Sequence, residues 1–193
     1  MEKQIVLASS SPFRRQLLEK LGLEFSCDSP DIDETPQVNE TPEQLVARLA
    51  QEKAKAVAAR HPNALIIASD QCAVLDGNIL GKPGDHQTAV KQLQAASGKK
   101  VQFLTALALL NSNTGDLQAD VSPFAVYFRT LTGTEIEGYL SSEQPYNCAG
   151  SFKSEGLGIT LLQRLEGDDP NTLIGLPLIR LTNMLSREGI SLY

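Results

Sequence analysis

The sequence lacks residues that a disulfide-bonded or zinc-binding protein would need. Its three cysteines, Cys27, Cys72 and Cys148, are odd in number and far apart, which argues against a disulfide framework. Its two histidines, His61 and His86, are too few for a histidine-rich zinc site. Both histidines lie in polar stretches, so we expect them to be exposed surface residues. Tryptophan is absent.

Long apolar runs and net positive charge are also missing. No run approaches the roughly 18 apolar residues of a membrane-spanning helix, so we expect no membrane association. The stretch MEKQIVLASSSPF has an apolar run too short for a signal peptide, which predicts a cytoplasmic protein. The net charge of −6 argues against nucleic acid as a partner. Any anion must therefore be bound by a local cluster of donors.

The order of predicted elements indicates an α/β fold in a single domain, residues 1–193. A chain of this length can bury a core without disulfides or metals. Asp76 and Gly77, between two apolar stretches, predict a β-hairpin, so the sheet should be mixed rather than purely parallel. Strands are predicted at 4–9, 23–27, 64–69, 101–110, 117–129 and 159–165, and helices at 13–21, 41–60, 85–97, 132–141 and 176–187.

The stretch LASSSPFRRQLL, residues 7–18, joins the first strand to the first helix. At about 100° per residue, Arg14 falls within the apolar stripe of this helix and Arg15 falls opposite it. Arg14 could simply extend from the edge of the core into solvent. Its position in the first helical turn, beside the hydroxyls of Ser9–Ser11, favours an anion site, because free backbone N–H groups and the helix dipole attract negative charge there.

The second helix contains a similar exception to its apolar pattern. Lys53 lies in the middle of the apolar face, whereas Lys55 lies on the far side. A buried ammonium group needs a carboxylate, water or a ligand, because an unpaired buried charge is costly. A structural ion pair and a ligand contact are equally compatible with this position.

Asp70 and two neighbouring regions complete the candidate site. Asp70 follows the predicted strand at 64–69, at the end of a strand where α/β sheets bind ligands, although a turn aspartate is equally compatible with this position. Lys82 lies in the short loop GKP, which is not a Walker A motif. Glu34 lies in an acidic loop. Arg14, Lys53, Lys82 and serine hydroxyls could bind phosphates, while Asp70 and Glu34 could bind a divalent metal cation.

Five motifs in this order resemble the Maf family of nucleoside triphosphate pyrophosphatases. They are LASSSPFRRQLL, DET at 33–35, SDQ at 69–71, GKP at 81–83 and AGSFKSEG at 149–156. The resemblance implies two lobes around a nucleotide cleft, as in inosine triphosphate pyrophosphatases, and hydrolysis of a nucleoside triphosphate with Mg²⁺ or Mn²⁺. The positions that match the family's functional residues are Ser9, Arg14, Glu34, Lys53, Asp70 and Lys82.

Within the family, three further positions resemble the branch that acts on 7-methyl-GTP. These are Phe13, Gln71 and Glu155, where the branch that acts on dTTP and UTP typically has arginine, threonine and glutamine. The 7-methyl-GTP branch often has tryptophan at the position of Phe13. The alternatives are a pyrophosphatase for dTTP, UTP or other modified nucleotides, and a nucleotide-binding regulator of cell division. A homodimer is compatible with the expected fold.

Overall fold

The computed structural model describes residues Lys3–Tyr193. No helix in this range is both long and apolar enough to cross a membrane. The strands are β1 (Gln4–Leu7), β2 (Ser26–Cys27), β3 (Ala64–Leu75), β4 (Asn78–Leu80), β5 (Lys100–Asn111), β6 (Leu117–Phe128) and β7 (Leu162–Glu166). The α-helices are α1 (Pro12–Glu19), α2 (Pro42–Ala58), α3 (His86–Ala96), α4 (Gly133–Glu143), α5 (Pro170–Ile174) and α6 (Leu178–Arg187). Two 3₁₀ turns span Ala149–Ser151 and Leu157–Leu161.

The strands form one mixed sheet, as the sequence predicts. Their order is β2-β1-β3-β5-β6-β7, and β4 pairs with β3. β1 is parallel to both β2 and β3, whereas β4 is antiparallel to β3 and β7 is antiparallel to β6. The predicted turn at Asp76 and Gly77 connects β3 to β4, and both residues have the positive φ that such hairpin turns need.

The chain divides into two compact units. Unit 1 contains the described residues up to Asp70, together with Thr105–Ser122 and Gly175–Tyr193, and unit 2 contains Gln71–Leu104 and Pro123–Ile174. The core of unit 1 includes fully buried residues of β1, β3 and α2, and that of unit 2 is a cluster around α3, α4 and Phe152. The prediction of a single domain over residues 1–193 stays a prediction.

N-cap side chains stabilise the starts of two helices in unit 1. The hydroxyl of Ser11 accepts a hydrogen bond from the backbone N–H of Arg14 and begins α1. Thr41 and Gln44, whose spacing is typical of a capping box, form one at the start of α2, each side chain accepting a hydrogen bond from the other residue's backbone N–H. Both caps fix where these helices start and hence the direction in which their side chains point.

The structure corrects several local predictions. β3 continues to Leu75, so Asp70 lies within the strand rather than beyond its end. The reason is a change of partner, since β1 pairs with Ala64–Ile67 of β3 and β4 pairs with its last three residues. The last strand begins only at Leu162, after a 3₁₀ turn, and the short helix α5 was not predicted.

The two histidines are not the exposed residues that the sequence predicts. Both are half-buried and hydrogen-bonded. His61 Nε2 is 2.8 Å from Asp28 Oδ2. His86 bonds to Tyr146 through Nδ1 and to Glu137 through Nε2. Each histidine connects segments that are far apart in sequence, a pairing that the local polar composition does not reveal.

Candidate active site

The turn between β1 and α1 arranges polar groups as the sequence suggests. Ser9 is buried, and its Oγ accepts a hydrogen bond of 3.1 Å from the backbone N–H of Ser11. Ser11 in turn caps α1 by accepting from the backbone N–H of Arg14. Ser10 is exposed. This chain of bonds holds the serine segment against the first turn of the helix, where an anion would be favoured.

The two arginines of α1 face opposite environments, as helical phase predicts. Arg14 is half-buried, and its Nε donates a 2.9 Å hydrogen bond to the backbone oxygen of Gly175. Burial lowers the pKa of Arg14, while the negative charges of Asp70 and Glu34 raise it. Arg15 is exposed and forms a 3.0 Å ion pair with Glu19 on the same helix. Arg14 therefore belongs to a charged cluster and Arg15 does not.

Lys53 lies between two carboxylates. Its Nζ is 2.6 Å from Asp70 Oδ1 and 2.8 Å from Glu34 Oε1. Lys53 and Asp70 are buried, whereas the Glu34 side chain is 58% exposed on its loop. Burial raises the pKa of Asp70, Lys53 and Arg14 lower it, and Glu34 raises it further. The ion pair that the sequence left open is therefore present, and the ligand contact of Lys53 stays a prediction.

The carboxylates of Asp70 and Glu34 are chemically suited to a hard divalent cation. Residues Lys3–Tyr193 contain no group of three or more His, Cys, Asp and Glu side chains that could hold a metal. Magnesium in phosphate-processing sites is commonly held by only one or two carboxylates together with the phosphates of the substrate. Lys53 contacts one oxygen of each carboxylate. The donor set therefore fits a cation that binds together with a polyphosphate.

Three other candidate residues lie in unit 2. Gln71 follows Asp70 in β3, and its Nε2 donates to the backbone oxygens of Thr172 and Leu173, at 2.9 and 3.2 Å. Lys82 is exposed on the loop after β4, and Glu155 is exposed on the segment between the two 3₁₀ turns. The structure therefore gives Gln71 a structural bond to α5 that the sequence did not indicate.

The loop that carries Glu155 is held on both sides by one carboxylate. Glu143, at the end of α4, accepts a 2.7 Å bond from Lys153 Nζ and a 2.7 Å bond from the backbone N–H of Leu157. These bonds lower the pKa of Glu143. Glu155 itself accepts a 3.3 Å hydrogen bond from the hydroxyl of Ser154. An exposed acid on a fixed loop is well placed to contact a ligand.

Within unit 1, contacts link five of the predicted residues. Arg14, Glu34, Lys53 and Asp70 interact through charge, and Ser9 is joined to Arg14 through the cap of α1. Phe13 is half-buried beside Arg14 on α1.

In unit 2, Lys82 and Glu155 both influence the thiol of Cys148, whose pKa is raised by burial and by Glu155 and lowered by Lys82. The roles of these residues in binding and catalysis stay predictions.

Sequence reasoning missed the backbone oxygen that holds Arg14 in place and the serine hydroxyl that bonds to the same oxygen. The backbone oxygen of Gly175 accepts hydrogen bonds from Arg14 Nε and from the buried hydroxyl of Ser69, the latter at 2.8 Å. Ser69 was part of the SDQ motif, but its own side chain was not singled out. Gly175 lies 161 residues after Arg14, so no local pattern could have indicated the contact. Its φ of +123° also favours glycine at this position.

Comparisons with known proteins identify a family, and the similar proteins include a curated relative and a solved structure. The model of the Maf-like protein family matches residues 4–188. The chain is 62% identical over 188 residues to a 7-methyl-GTP pyrophosphatase of Alcanivorax borkumensis, covering 97% of this chain and 95% of that protein. A crystal structure of a Vibrio cholerae protein matches 96% of this chain and 99% of that chain, with a TM-score of 0.44 and 11% identity.

Proposed function

Because the chain belongs to the Maf family, we propose that it is a nucleoside triphosphate pyrophosphatase whose preferred substrate is 7-methyl-GTP. The reaction breaks the bond between the α- and β-phosphates and yields 7-methyl-GMP and pyrophosphate. The observation that carries this proposal is the 62% identity to a 7-methyl-GTP pyrophosphatase, which extends over 97% of the chain. Identity at that level over nearly the whole length leaves little room for a different reaction.

In this proposal Asp70 accepts the proton of the attacking water. Its burial raises its pKa, which makes it a stronger base than an exposed aspartate. Arg14, Lys53 and Lys82 bind the phosphates and neutralise the charge that develops on the leaving pyrophosphate. Ser9 contributes its hydroxyl at the start of α1. The buried Lys53 keeps Asp70 ionised by offsetting part of the cost of its burial.

A divalent cation, Mg²⁺ or Mn²⁺, is proposed as the cofactor. Asp70 and Glu34 are the residues that would hold it, and the cation would withdraw negative charge from the phosphate oxygens. Glu34 lies on an exposed loop, which lets its carboxylate adjust to a cation that arrives with the substrate.

Recognition of the base is assigned to Phe13, Gln71 and Glu155. Methylation at N7 gives guanine a delocalised positive charge, which an aromatic face such as that of Phe13 attracts by about 0.5–2 kcal/mol. The carboxylate of Glu155 can accept hydrogen bonds from N1–H and N2–H of the base. Gln71, next to Asp70 in β3, can donate to or accept from an edge of the nucleotide, and its Nε2 also donates to the backbone oxygens of Thr172 and Leu173.

The test is a panel of nucleotides incubated with the protein and Mg²⁺ or Mn²⁺, in which both products are identified. We expect 7-methyl-GTP to be cleaved much faster than GTP, dTTP or UTP, with pyrophosphate rather than phosphate as the second product. Glu155→Gln should reduce this preference, and Asp70→Asn should lower turnover by roughly a hundredfold or more. Incubation without a divalent cation tests the cofactor.

Each outcome of the panel distinguishes among the alternatives. Preference for dTTP or UTP would contradict the substrate but leave the pyrophosphatase activity in place. Binding of nucleotides without cleavage of any of them would contradict the enzyme and favour a regulator. Near wild-type turnover by Asp70→Asn would show that Asp70 is neither the base nor an essential metal ligand.

The cytoplasm is proposed as the location of the protein, since its proposed substrate is a nucleotide. A homodimer is proposed as its assembly. Light scattering after size-exclusion chromatography measures the assembly directly, and a mass of 20.9 kDa, that of one chain, would contradict it.

A further inference from the structure

Two loops of unit 2 carry residues assigned to different parts of the substrate. The loop Gly81–Gly84 carries Lys82, and the segment 145–156 carries Glu155. Backbone hydrogen bonds join the two, from the N–H of Gly150 to the oxygen of Gly81 at 3.2 Å and from the N–H of Gly84 to the oxygen of Tyr146 at 3.0 Å. The two loops are therefore in direct contact over several residues.

Gln92 bridges the same two loops from helix α3. Its Nε2 donates a 3.1 Å hydrogen bond to the backbone oxygen of Gly81, and its Oε1 accepts a 2.6 Å bond from the hydroxyl of Ser151. A carbonyl oxygen can only accept, so the amide nitrogen must face Gly81 and the amide oxygen must face Ser151. Among side chains, an uncharged amide is well suited to donate to one loop and accept from the other.

Ser151 combines an unfavourable backbone conformation with a buried side chain. Its φ is +58°, in the left-handed region where glycine is unstrained and other residues are disfavoured. Ser151 is also fully buried. The hydroxyl of this strained and buried serine donates the hydrogen bond that Gln92 accepts. The strain indicates that the bond has a function besides closing the turn.

We propose that Gln92 is a positioning residue that sets the Lys82 loop relative to the Glu155 loop. Only three residues separate Ser151 from Glu155, so the bond from Ser151 to Gln92 sets where the segment that carries Glu155 begins. Phe152, in the core, and Lys153, bonded to Glu143, then fix the course of that segment as far as Glu155. The proposal rests on the proposed function for what each loop binds, namely phosphate and base, and it makes recognition of the two interdependent.

The test compares Gln92→Met with Gln94→Met. Methionine keeps the length and helix propensity of glutamine but removes both hydrogen bonds, and Gln94 is exposed on the same helix. We expect Gln92→Met to reduce the ratio of kcat/KM for 7-methyl-GTP over GTP by roughly tenfold and to raise KM for both nucleotides. Gln94→Met should leave both quantities unchanged. An unchanged ratio in Gln92→Met would overturn the proposal, even if its Tm fell.

Ser151→Gly separates positioning from stability. Glycine relieves the strain of a positive φ, so this variant should keep or increase its Tm. It nevertheless removes the hydroxyl that donates a hydrogen bond to Gln92. It should therefore also reduce the ratio of kcat/KM for 7-methyl-GTP over GTP. A fully active and discriminating Ser151→Gly would contradict the proposal. This variant also provides the test should Gln92→Met fail to fold.

Hydrogen exchange makes the result independent of the proposed reaction. If Gln92 joins the loops, the backbone N–H groups of Gly84 and Gly150 should exchange faster in Gln92→Met than in the wild type and in Gln94→Met. Unchanged exchange at both amides would overturn the proposal whatever the enzyme does. Faster exchange in a protein that cleaves no nucleotide would support the link between the loops and refute only the proposed function.

Discussion

Lys53 illustrates how a single residue can connect burial to chemistry. A lysine on the apolar face of α2 needs a partner, and the structure provides Asp70 and Glu34, at 2.6 and 2.8 Å. The pKa of Asp70 is consequently determined by two opposing effects. Burial raises it above the ordinary value of 3.8, whereas the positive charges of Lys53 and Arg14 hold that rise back. The protonation of Asp70 therefore depends on Lys53.

Removing the charge of Lys53 should move the pH dependence of catalysis. With Lys53→Met, burial acts on Asp70 without its nearest cation, so the pKa of Asp70 should rise further and a higher pH should be needed to ionise it. Because the pKa of Asp70 is raised from 3.8, we expect the acidic limb of the wild-type kcat/KM profile to lie above pH 3.8, and that of Lys53→Met to lie at still higher pH. Lys55→Met is the control, because Lys55 is exposed on the opposite face. An identical acidic limb in Lys53→Met and Lys55→Met would show that Asp70 does not control it.

At the level of helices and strands, the sequence predicts what depends on local periodicity and misses what depends on distant partners. Helical phase alone separates Arg14 from Arg15, and the capping motif locates the start of α2 at Thr41. The position of Asp70 within β3 was missed, because the strand continues beyond its pairing with β1 through pairing with partners that are distant in sequence, among them β4 at its last three residues. The bond from Arg14 to Gly175 was missed for the same reason, since the two residues are far apart in the chain.

An ion pair also joins the segment after β2 to the end of α2. Asp28 accepts hydrogen bonds from Arg60 Nε and Nη2, at 3.0 and 2.8 Å, and lies 2.8 Å from His61. Arg60 and then His61 lower the pKa of Asp28 from 3.8 to about 2. Because the folded pKa is depressed, the stabilisation is present above the unfolded value and is lost as the pH falls through about 2.

Asp28→Asn should therefore destabilise the protein at pH 7 by about 1 kcal/mol, the usual size for a partly exposed ion pair. The difference from the wild type should diminish as the pH is lowered from above 3.8 towards 2, because the wild-type carboxylate is then protonated as well. Urea unfolding at a series of pH values measures this. Asp168→Asn, at an exposed position in unit 2, is the control. A difference that does not depend on pH would contradict the assignment to this carboxylate.

For the whole molecule, the boundaries between the two units lie at unusual positions in the chain. Domain boundaries usually fall in exposed linkers. Here three of the four lie inside strands, between Asp70 and Gln71 in β3, between Leu104 and Thr105 in β5, and between Ser122 and Pro123 in β6. Each of these strands contributes residues to both units. A strand that lost its pairing in one unit would lose support for its other half.

The two units should consequently unfold together, as expected for one domain. The chain has no tryptophan, so tyrosine fluorescence can be observed, and three of its four tyrosines, Tyr127, Tyr139 and Tyr146, lie in unit 2. Tyr193→Phe removes the one in unit 1, so that the remaining fluorescence reports unit 2 alone while far-ultraviolet circular dichroism reports both units. We expect the two signals to give the same midpoint in urea, because β3, β5 and β6 run through both units. Two separate midpoints would show that the units are independent domains.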